Sequence, residues 1–172
     1  MSKHALFSWL KKQFPDAQIQ TGRDFRVLHP NGTISVFIYL EEKMPLKTWY
    51  EHQDQYVLAS VHPIWILDAD EYVHYSKSKY ASGARIRHHI PKAIFNETGF
   101  CYYLEKRTHR FIIDIAFHTR EIWLYKHGRK LSHLYDFHDP FQQECDLEDA
   151  YFLNGLIVYK KVEARMLEKR ND

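Results

Sequence analysis

The clearest alternation of apolar and polar positions lies in two segments that flank Asn31-Gly32. This dipeptide is typical of a two-residue type I′ hairpin turn, because both central residues of that turn need φ > 0. With this turn Asp24 pairs with Tyr39, and side-chain alternation places Glu41 and Lys43 on the face of Asp24. The other face is predicted to be apolar and to pack on a core; it carries Phe25, Val27, Ile34, Val36, Ile38 and Leu40.

The segments around this hairpin predict an α/β arrangement. Helical spacing of apolar residues predicts one helix from Ser2 to about Phe14 and another from Leu46 to about Ala59. A short strand from Ala17 to Thr21 precedes the hairpin, and a continuous apolar run from Val61 to Leu67 predicts a buried strand after it. The resulting order is αβββαβ. Because a helix that connects two strands normally makes a right-handed parallel crossover, we expect a mixed sheet.

The second half of the chain is expected to be β-rich. Alternation from Cys101 to Phe137 predicts a β-meander of about four strands, with a turn at His127-Gly128. A short helix, residues 91–98, precedes it, and a long C-terminal helix is predicted from Asp146 to about Lys169, with Gly155 inside it.

We therefore divide the chain into a core at residues 1–75, a basic loop with a short helix at 76–99, and the meander with its helix at 100–172. The three parts are expected to pack as one domain.

The polar segment from Ser76 to Arg87 is a candidate nucleic-acid contact. It carries Lys77, Lys79, Arg85 and Arg87, and cations of this kind bind phosphate backbones. The alternative is a solvated loop with no ligand.

Composition excludes several classes of protein. The 172 residues carry a net charge of +2, which is compatible with a nucleic-acid partner but does not indicate one. The two cysteines, Cys101 and Cys145, are far apart, which excludes a zinc ribbon and makes a disulfide framework improbable. No apolar run approaches the length of a membrane span. We expect a reduced, soluble, cytoplasmic protein that does not associate with membranes, of undetermined oligomeric state.

The acidic residues near the open end of the hairpin are the candidate active site. Asp24 and Glu41 on one face would hold Mg²⁺ or Mn²⁺, which prefer oxygen ligands. The metal would polarise a phosphodiester, and Lys43 would orient the attacking water or stabilise the developing charge. This is the chemistry of a D…ExK nuclease site. The alternative is a charged strand end that leads into a helix, with Glu41 and Lys43 in solvent.

His52 and Tyr56 lie one helical turn apart in the second predicted helix, so they share a face. They are candidates to line a nucleic-acid groove beside the open end of the hairpin. The alternative places Tyr56 in the core and His52 at its rim.

From about Gly22 to Asp68 the chain resembles the nuclease-like domain of the CoiA family of competence proteins. The resemblance rests on the hairpin, on the helix with Trp49, His52 and Tyr56, and on the following segment His62-Pro63-Ile64-Trp65-Ile66-Leu67. It implies a restriction-endonuclease-like PD-(D/E)XK core and action on DNA.

The resemblance also has a departure. At the positions where the family carries an acidic residue and a glutamine, this chain has Ile38 and Leu40, which cannot bind a metal. Two hypotheses follow. One is a metal-dependent deoxyribonuclease that uses Asp24, Glu41 and Lys43, and the other is an inactive nuclease-fold module that binds nucleic acid or a protein partner.

Overall fold

The computed structural model describes the backbone of residues 2–75, 84–86 and 89–171, and the side chains of residues 3–73, 90–116, 127–129 and 143–171. The first half of the chain contains α1 (Ser2–Gln13), β1 (Gln18–Thr21), β2 (Phe25–Leu28), β3 (Ile34–Leu40), α2 (Leu46–Leu58), β4 (His62–Asp68), α3 (Ala69–Tyr72), β5 (Val73–Tyr75) and β6 (Ala84–Ile86). The second half contains α4 (His89–Thr98), β7 (Cys101–Leu104), β8 (Arg110–Lys126), β9 (Arg129–Asp146), a 3₁₀ turn (Leu147–Asp149), β10 (Tyr151–Leu153), β11 (Leu156–Val158) and α5 (Glu163–Asn171).

A seven-stranded mixed sheet, in the order β1-β2-β3-β4-β7-β8-β9, passes through both halves of the chain. Strands β3, β4 and β7 run parallel, and the other neighbouring strands of this sheet are antiparallel. Helix α2 crosses from β3 to β4, which is the connection expected between parallel strands. The predicted mixed α/β class is therefore confirmed.

Each face of the sheet has its own apolar layer. On one face Leu6, Trp9 and Leu10 of α1 are buried in the same cluster as Met166 of α5. On the other face Trp49 of α2 is buried together with residues of α4. The central strands are thus covered on both sides, which explains why the β4 run is apolar almost throughout.

The hairpin between β2 and β3 has a three-residue loop, so the predicted type I′ turn is wrong. Gly32 alone within the loop has positive φ, at 87°. Its N–H donates to the carbonyl of His29, and the N–H of His29 donates to the carbonyl of Thr33. This is a type I turn followed by a glycine in the left-handed region.

The longer loop moves the register of the hairpin by one residue. Phe25 pairs with Phe37, and Arg26 pairs with Val36. Because side chains alternate along a strand, this shift sends the predicted apolar set to two different faces. Phe25 and Val27 pack with Phe37 and Tyr39 in the apolar layer that includes α1, called the α1 layer below. Val36, Ile38 and Leu40 pack in the layer on the opposite face, which includes α2 and is called the α2 layer.

The predicted C-terminal helix is wrong from Asp146 to Val162. The segment after the 3₁₀ turn forms the hairpin β10–β11, and Leu153 pairs with Leu156 across it. Its two loop residues, Asn154 and Gly155, have φ values of 50° and 80°, as a type I′ turn requires. The helix begins only at Glu163.

Two further sequence predictions need correction. The predicted meander of about four strands contains three strands, β7, β8 and β9. The reason is that β8 and β9 are long strands that pair along their whole length. The turn predicted between them at His127-Gly128 is confirmed. The loop predicted between Ser76 and Arg87 contains a short strand, β6, which pairs with β5.

Candidate functional site

Asp24 lies immediately before β2, and its carboxylate is held by two partners. The hydroxyl of Tyr56, on α2, donates to Oδ2 of Asp24 at 2.7 Å. Nε of Arg26 donates to Oδ1 at 3.4 Å. Only 13% of the Asp24 side chain is exposed, against 44% of Arg26. Burial, followed by the hydrogen bond to Asp24, raises the pKa of Tyr56 well above its usual range. Tyr56 therefore remains a donor at neutral pH.

The register places Asp24 and Tyr39 on opposite faces of the sheet. Asp24 lies two residues before Arg26 and therefore has the same facing direction. Arg26 pairs with Val36, whose side chain lies in the α2 layer. Tyr39 packs in the α1 layer. β3 ends at Leu40, and continued alternation would put Glu41 on the face of Tyr39. The pairing that was predicted to bring Glu41 to the face of Asp24 does not form.

Lys43 lies beyond β3, and its ammonium group is 3.8 Å from a carboxylate oxygen of Glu71. Its side chain is 68% exposed. An exposed ion pair of this kind contributes about 0–1 kcal/mol to stability. The contact pairs Lys43 with α3, an element that the predicted metal site did not include.

The carboxyl ends of β3, β4 and β7 meet at a buried acid, Asp68, whose exposed fraction is 2%. The hydroxyl of Tyr39 donates to Oδ1 of Asp68 at 2.9 Å, and the backbone N–H of Glu71 donates to Oδ2 at 3.1 Å. Asp68 is thus the N-cap of α3. Burial raises the pKa of Asp68, and the hydrogen bond from Tyr39 partly opposes that effect.

Arg26, Tyr39 and Asp68 were not among the site residues predicted from the sequence. A signal was present for Asp68, because an Asp followed three residues later by Glu71 resembles a capping pattern at the start of a helix. Strand alternation places Arg26 on the same face as Asp24, two residues away, whereas the contact of Tyr39 with Asp68 depends on the tertiary pairing of β3 with β4.

The remaining predicted binding residues are divided between described and undescribed parts of the chain. His52 is half-buried on α2, one turn from Tyr56. Arg85 lies in β6 opposite His74, with its side chain outside the described set. Lys77, Lys79 and Arg87 lie outside the described residues.

A second group of ionisable side chains is buried where β7 meets β8. Cys101 pairs with Asp114, and Tyr103 lies two residues further along β7 on the same face. All three have an exposed fraction of 0%. Burial, followed by the negative charge of Asp114, raises the pKa of both the Cys101 thiol and the Tyr103 hydroxyl. The thiol therefore stays protonated and is not a nucleophile at neutral pH.

An open cavity of about 990 Å³ lies at the opposite end of the sheet, where β3 and β4 begin. Its lining includes His29, Ser35, His62 and Arg170. Nε2 of His29 lies 2.8 Å from Oγ of Ser35, and this hydrogen bond connects the hairpin loop to β3.

The strand pairing from which the metal centre at Asp24 and Glu41 was predicted does not form. Asp24 accepts hydrogen bonds from Tyr56 and Arg26, and Glu41 lies just beyond the end of β3. Within the described ranges, no group of three or more His, Cys, Asp or Glu side chains is arranged to hold a metal ion.

Comparisons with known proteins give no relative. No protein-family model, no curated protein and no solved structure matches the chain. Across the part of the chain that the structure describes, no helix has both the length and the apolar character needed to cross a bilayer.

Proposed function

We propose that this protein is a DNA-binding module built on a nuclease-like core, and that it does not use Asp24 and Glu41 as a metal centre. The DNA ligand and the nuclease-like fold of the core are inferred from the resemblance to the CoiA nuclease-like domain. Of the two hypotheses that the sequence raised, this is the second. A requirement for Mg²⁺ or Mn²⁺ belongs to the first hypothesis, cleavage, and is not part of this proposal.

The order of elements supports a restriction-endonuclease-like core. The chain begins α1, β1, β2, β3, α2, β4, with antiparallel pairing from β1 to β3 and parallel pairing of β3 with β4. This is the αβββαβ order of that fold class. Asp24, the acid predicted as a metal ligand, stands immediately before the second strand.

The observation that carries the non-catalytic part of the proposal is the hydrogen bond from Tyr56 to Asp24. It fixes the carboxylate toward α2, and the exposed Arg26 partly neutralises it. Both oxygens of this carboxylate already accept a hydrogen bond, one from the half-buried Tyr56 and one from Arg26, and the positive charge of Arg26 weakens the attraction of Asp24 for a cation. The same contact keeps α2 against the open end of the hairpin.

The charges near Asp24 are compatible with a phosphate backbone. Arg23, Arg26 and Lys47 are exposed around the open end of the hairpin and the start of α2. Cations on a surface attract DNA, with an affinity that falls steeply as salt rises.

The test combines binding and cleavage. Fluorescence anisotropy with a labelled 30-base-pair duplex, over a series of NaCl concentrations, should show binding that weakens with salt. Plasmid and linear DNA incubated with Mg²⁺ or Mn²⁺ should remain uncut by the wild type and by Glu41→Ala and Lys43→Ala variants. Metal-dependent cutting that is lost in Asp24→Asn or Glu41→Ala would overturn the non-catalytic assignment. An absence of DNA binding at 50 mM salt would overturn the DNA assignment and leave a protein as the partner.

A further inference from the structure

Strands β8 and β9 form a two-stranded arm that continues past the other strands of the seven-stranded sheet, and β6 of the small β5–β6 sheet lies beside β9. The first residue of β7, Cys101, pairs with Asp114 of β8. Residues 115–126 of β8 therefore have no partner in β7, and they pair with β9 alone within this sheet. At about 3.3 Å per residue this part of the arm is about 40 Å long.

The arm leaves the sheet at an irregularity in the ladder. The pairing of β8 with β9 shifts between Asp114 and Ala116, next to the last residue that pairs with β7. A second shift lies between Arg120 and Ile122. Bulges bend a two-stranded ribbon and increase its twist, so the ribbon is not a flat continuation of the sheet.

The tip of the arm is a tight turn flanked by cationic residues. His127 and Gly128 have φ values of 51° and 72°, and Lys126 pairs with Arg129 across the turn. Lys130 follows and pairs with Tyr125. His127, Gly128 and Arg129 are exposed. Residues 122–135 contain no Asp or Glu, so the charge at this end of the arm has a single sign.

We propose that the tip of this arm enters a groove of duplex DNA and that Lys126, Arg129 and Lys130 contact its phosphates. The proposal rests on the proposed DNA-binding function and assigns its contact surface. A two-stranded β-ribbon fits the major groove, and the cations at the turn match the charge of the backbone. The concentration of positive charge at the tip favours DNA over a second copy of this chain, which would present the same charge.

The first measurement compares two variants in which three cations are each replaced by glutamine. The arm variant carries Lys126→Gln, Arg129→Gln and Lys130→Gln. The control carries Arg107→Gln, Lys160→Gln and Lys161→Gln, at exposed positions outside the arm. Both are titrated against the same 30-base-pair duplex at several salt concentrations, after their urea midpoints have been compared with the wild type.

The arm variant should bind at least tenfold more weakly at 100 mM salt. The slope of log K against log salt should fall by about 0.9 for each phosphate that the variant no longer neutralises. The control should keep the slope of the wild type. Equal slopes in the two variants would overturn the arm assignment, whereas a wild type that does not bind at all would overturn the proposed function instead.

A second measurement uses the wild type and does not depend on the folding of a variant. Lys126 and Lys130 should be protected from acetylation by an amine-reactive reagent when DNA is present, while Lys160 and Lys161 react as before. Equal labelling with and without DNA would contradict the proposal. A wild-type dimer that becomes monomeric in the arm variant, with DNA affinity unchanged, would show that the arm binds a second copy and would also overturn it.

Discussion

The hydroxyl of Tyr56 and the carboxylate of Asp24 form a 2.7 Å hydrogen bond that connects α2 to the start of β2. The two residues are separated by a hairpin and most of a helix in the chain. The bond therefore depends on the packing of α2 on the sheet, and it orients the acid that the sequence predicts as a metal ligand.

Removing this hydroxyl should destabilise the protein. Tyr56→Phe takes the donor from a charged, largely buried acceptor, so we expect the free energy of unfolding to fall by about 1 to 2 kcal/mol. Tyr50→Phe is the matched control, since Tyr50 is 41% exposed on the same helix. Urea denaturation of both variants measures the difference, and an equal decrease in both would show that the bond to Asp24 contributes nothing.

The Asn154-Gly155 turn should not tolerate a side chain at Gly155. Its φ of 80° lies in the left-handed region, and an added Cβ would approach Nη1 of Arg170 to 3.2 Å. We expect Gly155→Ala to lower the free energy of unfolding by about 1 to 2 kcal/mol. Gly22→Ala is the control, because nothing lies within 4 Å of an added Cβ there. Thermal or urea unfolding compares them, and a neutral Gly155→Ala would contradict the strained turn.

Lys169 should anchor α5 to the rest of the protein. Its ammonium group donates to the carbonyls of Gly99, at 2.8 Å, and Ile115, and lies 4.4 Å from the ring centroid of Phe95. Lys169→Met keeps the aliphatic stem and leaves both carbonyls without this donor, so we expect a decrease of about 1 to 3 kcal/mol in the free energy of unfolding. The exposed Lys161→Met should change stability by less than about 0.5 kcal/mol. Hydrogen exchange of α5 would show faster opening in the first variant, and unchanged exchange would contradict the anchor.

The ionisation of Asp68 should give the protein a pH-dependent contribution to stability. Burial raises its pKa in the folded state, so folding favours the protonated acid. The stabilising contribution is fully present below the pKa of the unfolded chain and is lost as pH rises through the raised folded pKa. The stability difference between wild type and Asp68→Asn should move in favour of the wild type as the pH falls through the raised pKa of Asp68 toward the pKa of the unfolded chain.

Denaturation at half-unit steps of pH measures this contribution. Asp70→Asn, at an exposed position two residues away, controls for the removal of one negative charge at this end of the sheet. A difference that moves in the opposite direction as the pH falls would contradict burial as the dominant cause.

Local patterns of apolar residues were sufficient to predict the helices and strands from α1 to β4. The stripe of Leu6, Trp9 and Leu10 predicted α1, and that stripe is buried. The apolar run that contains Ile66 and Leu67 predicted the strand that lies in the middle of the sheet. Such patterns succeed because the period of a helix or strand is local, and each of these elements has a face that a core layer covers.

Loop length was not determined by the same patterns. Asn-Gly occurs twice: Asn31-Gly32 lies in a three-residue loop, and Asn154-Gly155 forms the type I′ turn. At the first site Oδ1 of Asn31 accepts from the backbone N–H and the hydroxyl of Thr33, which stabilises the longer loop. At the second site the helical spacing of the surrounding residues concealed the turn.

The sequence by itself determined the mixed α/β class, the order of elements from α1 to β4 and the turn at His127-Gly128, because each depends on residues that are close in the chain. The tertiary structure alone decided which face each acid occupies. Asp24 lies with Tyr56 and Tyr39 with Asp68, since a hairpin longer by one loop residue exchanges the two faces of a strand. A candidate active site made from both strands of such a hairpin therefore depends on a register that the local sequence pattern does not specify.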